Sequence, residues 1–376
     1  MSMAGLPRRL VCDDVWVTPA RGRLTDVMGA VAAHLQPGIA VDALGLPDAK
    51  RYVVVLLDGL GWANLMDDPA LSPVLGGLGS SQLTVGLPST TATSLTSFTT
   101  GADTAQHGIF GYSFRTRPGV IMHTMVWDDR QCRPEEVQPV PTWFQRLDVP
   151  SAVVMPEAFA GSGLTRAVLR GAEFVGVPDE KNWAARAAQV VAVLASHPLT
   201  YVYERSLDHL GHVRGWRSEA WRRQLARVDG FIKMLRDDLP SGTGLVVTAD
   251  HGMVDVPAVH RVVIEAEPQL SADVDLIAGE ARLRHLYTDQ PEAVAKRWEN
   301  WWGARAEVRT RVQALPWFGA NPPGDAVASR LGDVVVATLD DWAMLTTTRP
   351  AEATMIGLHG STSIEECVVP LLKGLI

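Results

Sequence analysis

The sequence TADHGM at residues 248–253 places a carboxylate, Asp250, and an imidazole, His251, directly after a short apolar run. That run, GLVV at 244–247, is continuous and contains adjacent β-branched residues, as is typical of a parallel strand covered on both faces. Open α/β sheets place their ligand sites at the carboxyl ends of such strands. The stretch therefore predicts an α/β protein with a site here. The alternative is a helix N-cap followed by an ordinary histidine.

Other apolar runs of strand length lie at residues 51–57, 152–155, 199–203 and 333–338. Segments with apolar residues at helical spacing separate them, most clearly at 182–197 and 218–239. Strands that alternate with helices predict a mainly parallel central sheet with helices on both of its faces. We expect 333–338 to belong to the last elements of this core.

Residues 256–330 fit the alternation of strands and helices less well. They contain prolines, short strand-like pieces at 261–264 and 282–287, and a tryptophan-rich helix around Trp298 and Trp302. We expect them to form a small cap subdomain that is inserted into a single catalytic domain spanning residues 1–376.

The composition is that of a soluble globular protein, with 47% hydrophobic and 20% charged residues among 376. A formal net charge of −8 argues against a surface for nucleic-acid polymers, which needs a basic patch. No window approaches the ~20 apolar residues of a membrane span, and residues 1–11 lack the apolar run of a signal peptide. Three widely separated cysteines indicate no disulfide framework. These features favour a cytoplasmic enzyme and leave its oligomeric state open.

Two further acidic positions follow predicted strands. Asp58 comes directly after the run at 51–57 and before Gly59, which allows a tight turn at the end of the strand. Asp208 and His212 follow the run at 199–203, and their i, i+4 spacing puts both on one face of a helical turn, where they can share one ion. The alternatives are ordinary turn chemistry for Asp58 and a surface Asp–His pair.

A histidine and a hydroxyl-rich segment complete the set. His359, in GLHGST at 357–362, supplies the imidazole that a two-metal site otherwise lacks. The alternative interpretation is that His359 is a structural or exposed histidine of a loop. The segment LPSTTAT at 87–93 has Ser and Thr residues suited to cap a helix. A hydroxyl there lies at the positive end of the helix dipole, which favours an alkoxide or a phosphate oxygen. The alternative is that these residues only cap a helix and add polar side chains to it, without a role in chemistry.

In this order, the segments resemble the alkaline phosphatase superfamily, specifically its nucleotide pyrophosphatase/phosphodiesterase branch. The matching pieces are residues 57–59, 88–91, 100–101 with 107–109, 208–212, 249–253 and 359–360. They extend over nearly the whole chain. Each piece by itself is weak evidence for the family, but the order and spacing of all the pieces together make the resemblance specific.

The resemblance implies two zinc ions. The ligands it implies are Asp208, His212 and His359 for one ion, and Asp58, Asp250, His251 and Thr91 for the other. Mixed Asp/His ligation suits zinc, and the ligand types also allow manganese or iron. Thr91 is placed as the nucleophile by counting from Pro88, and Thr90 and Thr93 are nearby alternatives.

Two metals ~4 Å apart can hold both the attacking and the leaving oxygen of an in-line displacement. The resemblance therefore implies a hydrolase that cleaves phosphodiester or nucleotide pyrophosphate bonds of small molecules through a covalent phosphothreonine, which is then released. The alternatives are a phosphomonoesterase or phosphonate hydrolase on the same fold, and a non-catalytic metal-binding protein with a decayed site.

Tyr112 marks a departure from the family. Where the phosphodiesterases offer an Asn to the phosphoryl oxygens, counting from Thr91 gives Tyr112, whose hydroxyl can donate one hydrogen bond to a substrate. The alternative interpretation is an aromatic wall residue. No Lys or Arg lies between Arg51 and Arg115, which favours a monoanionic diester unless an arginine distant in sequence folds in.

Overall fold

The computed structural model describes residues 22–117, 119–130 and 132–376. The expectation for residues 1–11 and the first cysteine, Cys12, lie outside the described residues. The other two cysteines, Cys132 and Cys367, are free thiols. Among the described helices, none has the length and apolarity needed to cross a bilayer.

Short strands and helices alternate along the described chain. The strands are β1 (Gly22–Arg23), β2 (Tyr52–Leu57), β3 (Gly79–Thr84), β4 (Ser113–Arg117), β5 (Val120–His123), β6 (Ser151–Pro156), β7 (Glu173–Val177), β8 (Leu199–Glu204), β9 (Gly244–Thr248), β10 (Val254–Asp255), β11 (Arg261–Val263), β12 (Leu276–Glu280), β13 (Leu283–Tyr287), β14 (Ala306–Thr310), β15 (Val334–Thr338), β16 (Ala343–Leu345), β17 (Gly357–Leu358) and β18 (Val368–Leu375).

The helices cover the segments between these strands. They are α1 (Val27–Leu35), α2 (Trp62–Met66), α3 (Pro73–Gly76), α4 (Thr91–Thr100), α5 (Thr104–His107), α6 (Pro134–Val137), α7 (Trp143–Arg146), α8 (Gly163–Val168), α9 (Trp183–Leu194), α10 (Ser206–Arg214), α11 (Glu219–Asp238), α12 (Pro268–Ser271), α13 (Pro291–Trp302), α14 (Arg311–Ala314), α15 (Asp325–Ala328) and α16 (Ile364–Cys367). Short 3₁₀ turns lie at Leu24–Asp26, Pro69–Leu71, Thr124–Val126, Glu157–Phe159, Ala258–His260, Ile264–Ala266, Gly303–Arg305, Leu315–Phe318 and Pro350–Thr354.

The central sheet has eight strands in the order β1-β3-β18-β9-β2-β8-β6-β7. Five neighbours, β9 to β7 in that order, run parallel, whereas β18 runs antiparallel to both of its partners. Val54 of β2 lies between Val246 of β9 and Tyr201 of β8. All six residues of β2 are buried, as expected of a strand covered on both faces. The predicted α/β fold with a mainly parallel central sheet is confirmed.

The two predicted long helices are present as α9 and α11. Each begins at a polar cap, because Asn182 Oδ1 accepts the Ala185 amide at 3.1 Å and Ser218 Oγ accepts the Trp221 amide at 3.2 Å. The buried side chains of α11 recur at helical spacing: Trp221, Leu225, Val228, Ile232 and Leu235. This stripe packs in the core, as its spacing predicts.

A second, antiparallel sheet has four strands in the order β12-β13-β15-β14. The expectation that residues 333–338 join the central sheet is wrong, because β15 pairs with β13 and β14 instead. A continuous apolar run identifies a buried strand, but its partners are set by long-range pairing. The cap at 256–330 stays a prediction.

Buried polar contacts join the second sheet to the carboxyl edge of the central sheet. Ser113 Oγ donates to the Gly279 carbonyl and accepts the Gly279 amide, both at 3.0 Å. Arg282 makes a bidentate ion pair with Glu366 at 2.9 and 2.7 Å, and both side chains are fully buried. These contacts fix the β12–β13 hairpin next to the loops described below.

Candidate active site

Three neighbouring parallel strands deliver acidic side chains to one edge of the central sheet. Asp250 and His251 follow β9, Asp58 follows β2, and Asp208 lies in the first turn of α10 after β8. Backbone hydrogen bonds join these ends, since the Asp58 amide donates to Glu204 at 2.8 Å and the Asp208 amide donates to Asp58 at 3.1 Å. The sheet therefore brings together residues that are almost 200 positions apart.

Two glycines allow this close approach. Gly59 has φ +76°, and a Cβ there would lie 2.9 Å from the Cα of Asp208. At Gly252, a Cβ would lie 1.9 Å from the carbonyl oxygen of Glu365. Any side chain at either position would push the ligand-bearing loops apart.

Asp58, Asp250 and His251 form one fully buried cluster, whose ligand atoms all lie within 4.8 Å of one another. Nε2 of His251 lies 3.3 Å from Asp58 Oδ1 and 3.5 Å from Asp250 Oδ2. Neither of these two carboxylate oxygens has a hydrogen-bond partner among the described residues. The second oxygens are satisfied, because Asp58 Oδ2 accepts from the Tyr203 hydroxyl and Asp250 Oδ1 accepts from the Gly59 amide.

Asp208, His212 and His359 form a second cluster, whose ligand atoms also lie within 4.8 Å of one another. Asp208 Oδ1 lies 3.3 Å from Nε2 of His212 and 3.7 Å from Nε2 of His359, and no described donor bonds to it. The two clusters adjoin, since the rings of His251 and His359 stack with their centroids 3.7 Å apart. The structure thus brings all six predicted protein ligands into one paired site.

Each histidine of the site is oriented through its other ring nitrogen. Nδ1 of His212 lies 2.7 Å from the Gly357 carbonyl, Nδ1 of His251 lies 3.0 Å from the Gly252 carbonyl, and Nδ1 of His359 lies 3.0 Å from the Ser89 carbonyl. A carbonyl accepts only, so each Nδ1 carries the proton and Nε2 is left to face the carboxylates. This is the arrangement in which metal-ligating histidines are usually held.

Electrostatically, the site favours added positive charge. Burial by itself lowers the pKa of His251, but the carboxylates of Asp250 and Asp58 raise this pKa to about 10. Burial and the Asp58 charge raise the pKa of Asp250 well above its usual range. Burial and the two neighbouring imidazoles lower the pKa of His359 well below its usual range. A buried group of carboxylates of this kind is stabilised by a cation.

Thr91 is the first residue of α4, and its Oγ1 lies 3.2 Å from Nε2 of His251. The two alternative threonines have other partners. Thr93 donates to the Ile109 carbonyl at 2.9 Å, and the Thr90 side chain lies close enough to the Glu280 carboxyl group to lower the pKa of that group. Of these three hydroxyls, the Thr91 hydroxyl is therefore the one that contacts the ligand cluster.

The Ser/Thr-rich helix α4 is buried along all ten residues. Three of its hydroxyls are satisfied within the helix, because Thr96, Thr99 and Thr100 each donate to the carbonyl four residues earlier, at 2.6, 3.0 and 2.6 Å. This internal bonding lets a polar helix pass through the core and present its first residue at the site.

Tyr112 lies beneath an arginine that is distant in sequence. The Arg349 guanidinium lies 3.7 Å from the centroid of the Tyr112 ring, and the His123 ring meets the same ring edge-on at 6.1 Å. Phe110 and Phe114 are fully buried in the core. Of these three aromatic residues, Tyr112 is therefore the one whose ring face meets an arginine.

Sequence patterns do not single out Tyr203, Glu280 or Arg349, yet all three lie at or beside the site. Tyr203 is the penultimate residue of β8, and its donation to Asp58 is set by strand register rather than by a local motif. Glu280 is a lone acidic residue at the end of a hairpin strand. Arg349 lies in a loop with no recognisable pattern, so sequence alone offers no signal for it.

Comparison with known proteins shows relatives of similar fold. Murine ectonucleotide pyrophosphatase/phosphodiesterase 5 is similar in fold, with a TM-score of 0.67 and 17% identity over 85% of this chain and 87% of its own. Phosphonoacetate hydrolase from Sinorhizobium meliloti 1021, in complex with phosphonoformate, aligns with a TM-score of 0.66 and 19% identity over 87% of this chain and 91% of its own.

An inactive variant of the murine protein in complex with AMP gives a TM-score of 0.65 at 16% identity, over 85% of this chain and 87% of its own. No curated protein sequence matches this chain. The family model described as type I phosphodiesterase / nucleotide pyrophosphatase matches residues 52–362, which include every ligand of both clusters. The chain therefore belongs to the type I phosphodiesterase / nucleotide pyrophosphatase family, within the alkaline phosphatase superfamily of phosphoric ester hydrolases.

Proposed function

We propose that this protein hydrolyses phosphodiester or nucleotide pyrophosphate bonds of small molecules, with two zinc ions and with Thr91 as the nucleophile. The observation that carries the proposal is a set of three buried carboxylate oxygens without hydrogen-bond partners among the described residues. They belong to Asp58, Asp208 and Asp250, and they face the Nε2 atoms of His212, His251 and His359. Unpaired acceptors in a buried site call for a cation.

The donor set fits zinc. Each cluster offers both carboxylate oxygen and imidazole nitrogen, a mixture that zinc accepts readily and that manganese or iron also tolerates. When bound, two such cations neutralise charge on the attacking and leaving oxygens and lower the pKa of a coordinated hydroxyl. Asp58, Asp250, His251 and Thr91 would hold one ion, and Asp208, His212 and His359 the other.

Thr91 is suited to in-line attack because it opens α4, where the positive end of the helix dipole favours an alkoxide. Oγ1 forms a bond to phosphorus as the bond from phosphorus to the leaving oxygen breaks, and the proton that the Thr91 hydroxyl loses ends on the departing group, which diffuses away. Water then attacks the phosphothreonine, the P–Oγ1 bond breaks, and Thr91 regains a proton. In the described part of the chain, Tyr112 is the side chain proposed to donate to the phosphoryl oxygens.

A second candidate, a phosphonate or phosphomonoester hydrolase, is favoured by Arg349. Its guanidinium lies against the face of Tyr112 and adds positive charge that the chain between Arg51 and Arg115 does not supply. A doubly charged phosphoryl group gains more from this charge than a monoanionic diester does. The structural neighbours are consistent with both candidates, since one is a phosphonoacetate hydrolase and another was seen with AMP.

The test compares bis(4-nitrophenyl) phosphate, 4-nitrophenyl phosphate and phosphonoacetate as substrates of the zinc-loaded, the chelator-treated and the Thr91→Ala protein. We expect chelation to abolish activity and Thr91→Ala to lower kcat roughly 10³-fold or more, because the nucleophile is lost. The matched control is Thr93→Ala, whose hydroxyl bonds to Ile109 instead. Full activity in Thr91→Ala, or activity that survives chelation, would contradict the proposal.

A further inference from the structure

Glu280 is a buried acidic side chain that the proposed reaction does not use. It is the last residue of β12 in the second sheet, and it is only 8% exposed. Its carboxyl group reaches out of that sheet towards the nucleophile segment of the central domain. An unpaired buried carboxylate destabilises a fold, so a glutamate held here is expected to serve the site next to it.

The carboxyl group of Glu280 contacts two of the loops that form the site. Oε2 accepts the backbone amide of Tyr112 at 3.2 Å. Oε1 has no hydrogen-bond partner among the described residues, and the side chain of Thr90, the residue before the nucleophile, lies close enough to this carboxyl group to lower its pKa. One side chain thus joins the segment that carries Thr91 to the segment that carries Tyr112.

The third loop around Glu280 is that of the metal ligand His359. Gly360 has φ +126°, and a Cβ there would lie 2.6 Å from Cγ of Glu280. On the other side, Gly111 has φ +106°, and a Cβ there would lie 2.8 Å from Oε1. Both glycines adopt a backbone conformation that side chains rarely allow, and the glutamate fills the space between them. This interlocking leaves Glu280 little freedom to move.

Neighbouring charges hold the carboxyl group in place without fully ionising it. Burial raises the pKa of Glu280 to about 7, while the nearby Thr90 side chain, the hydrogen bond from the Tyr112 amide and the charges of Arg284 and Arg349 act in the opposite direction. Both the neutral and the charged carboxyl can accept the Tyr112 amide. The contact with the loop therefore does not depend on a fixed charge.

We propose that Glu280 is a positioning residue, which holds Thr90 and the Tyr112 backbone so that the Thr91 hydroxyl and the Tyr112 side chain face the phosphoryl group together. This proposal rests on the function proposed above. It assigns the second sheet a part in catalysis, because that sheet supplies the side chain that sets the distance between nucleophile and substrate contact.

Amide hydrogen exchange tests the positioning without any substrate. The proteins compared are zinc-loaded wild type, Glu280→Ala, Glu280→Gln and Asp229→Ala. Asp229 is the matched control, because it is a buried carboxylate that accepts the amides of Leu75 and Val74 at 2.8 and 3.2 Å, between α11 and α3. We expect Glu280→Ala to speed exchange in segments 88–92 and 110–114 at least roughly tenfold, and Glu280→Gln to stay within about twofold of wild type.

Steady-state kinetics on bis(4-nitrophenyl) phosphate form the second arm. A misplacement of about 1 Å can cost ~100-fold in rate, so we expect Glu280→Ala to lower kcat at least roughly thirtyfold with KM changed less than about threefold. Glu280→Gln should recover kcat to within about fivefold, since its amide oxygen can accept the Tyr112 amide. The control Asp229→Ala should keep kcat within about twofold of wild type.

The two arms separate the possible failures. Unchanged exchange in Glu280→Ala, or a kcat equal to that of Asp229→Ala, overturns the positioning role. If wild-type protein hydrolyses no phosphate ester but the exchange pattern is as expected, the proposed function fails and the structural role of Glu280 stands. A loss of kcat in Glu280→Gln as large as in Glu280→Ala also overturns the proposal. A side chain of the same size that accepts the Tyr112 amide would then fail to restore the positions of Thr91 and Tyr112.

Discussion

At the scale of single residues, the protein contains two kinds of histidine. The imidazoles of His212, His251 and His359 turn Nε2 towards carboxylates and attract positive charge. His107, by contrast, is a purely structural contact in the described chain. Its Nδ1 accepts the Ile109 amide at 3.1 Å, so its Nε2 donates to Ser97 Oγ at 2.9 Å. That pattern requires the neutral imidazole.

His107 should make the fold sensitive to acid. Burial, with a smaller effect of the Arg330 charge, lowers the pKa of His107 to about 3, whereas an unfolded histidine titrates near 6.5. Between these values, the unfolded chain binds the proton more strongly, so the free energy of unfolding falls as pH falls from about 6.5 towards 3. The contribution is at most about 1.4 kcal/mol per pH unit.

Urea unfolding of wild type and His107→Gln at pH 7, 6, 5 and 4 measures this dependence. We expect the free energy of unfolding of wild type to fall more steeply with acidification than that of the variant. The difference in slope should be at most about 1.4 kcal/mol per pH unit, which corresponds to one proton. His34 is half-buried and pairs with Asp42 at 3.0 Å, so His34→Gln provides the control histidine. Parallel pH profiles for wild type and His107→Gln would show that folding does not lower the pKa of His107.

At the scale of elements, the ends of β9, β2 and β8 make the site, and α16 holds its outer loops. The backbone carbonyl of Glu366 accepts the Gly252 amide at 2.9 Å, next to His251. Its side chain accepts the Ser361 amide at 3.0 Å, two residues after His359, and also pairs with Arg282. This residue therefore joins the second sheet to ligand loops of both clusters.

Breaking the pair on one side should destabilise the protein strongly. Arg282→Met leaves the Glu366 carboxylate buried without its partner, and we expect the free energy of unfolding to fall by about 3–5 kcal/mol. In the double variant with Glu366→Gln, part of this loss should return, because the amide still accepts from Ser361 and carries no charge. Denaturant unfolding measures both variants.

The control for the Arg282 prediction is the exposed pair of Arg223 and Glu219, which lie 2.9 Å apart on the surface of α11. Arg223→Met should cost less than about 1 kcal/mol, since solvent-exposed ion pairs contribute little. An Arg282→Met variant as stable as Arg223→Met would show that the buried pair does not hold the second sheet in place.

At the scale of the whole molecule, the six candidate Asp and His ligands come from four distant parts of the sequence: Asp58, the segment from Asp208 to His212, Asp250 with His251, and His359. A cation held between them would link the strands of the central sheet to the loop before β18. Binding to the folded chain alone stabilises it by mass action, by about 2.7 kcal/mol at a free metal concentration 100 times the dissociation constant.

Thermal unfolding over a series of free zinc concentrations tests this link. We expect Tm to rise with zinc in wild type and to rise far less in Asp250→Asn, which lacks one carboxylate of the buried cluster. The metal-free Asp250→Asn protein should itself be at least as stable as metal-free wild type, because repulsion between Asp250 and Asp58 is removed. A Tm independent of zinc in wild type would speak against a metal site built from these residues.

The sequence by itself determined the features that are encoded locally. Continuous β-branched runs marked β2, β8 and β9, because a strand buried on both faces needs an apolar residue at every position. Asp58 directly follows such a run, Asp250 and His251 lie just after another, and Asp208 and His212 have the i, i+4 spacing of a helical turn. Their meeting could be expected, since parallel strands in one sheet end at the same edge.

Only the tertiary structure decided which strands share a sheet and which distant side chains reach the site. β15 has the apolar pattern of a central strand, yet it pairs with β13 and β14, because a buried run looks the same in either sheet. Glu280 and Arg349 carry no local signal. Their places beside Thr90 and Tyr112 follow from how the second sheet docks, and docking depends on contacts between residues far apart in sequence rather than on the pattern of neighbours along the chain.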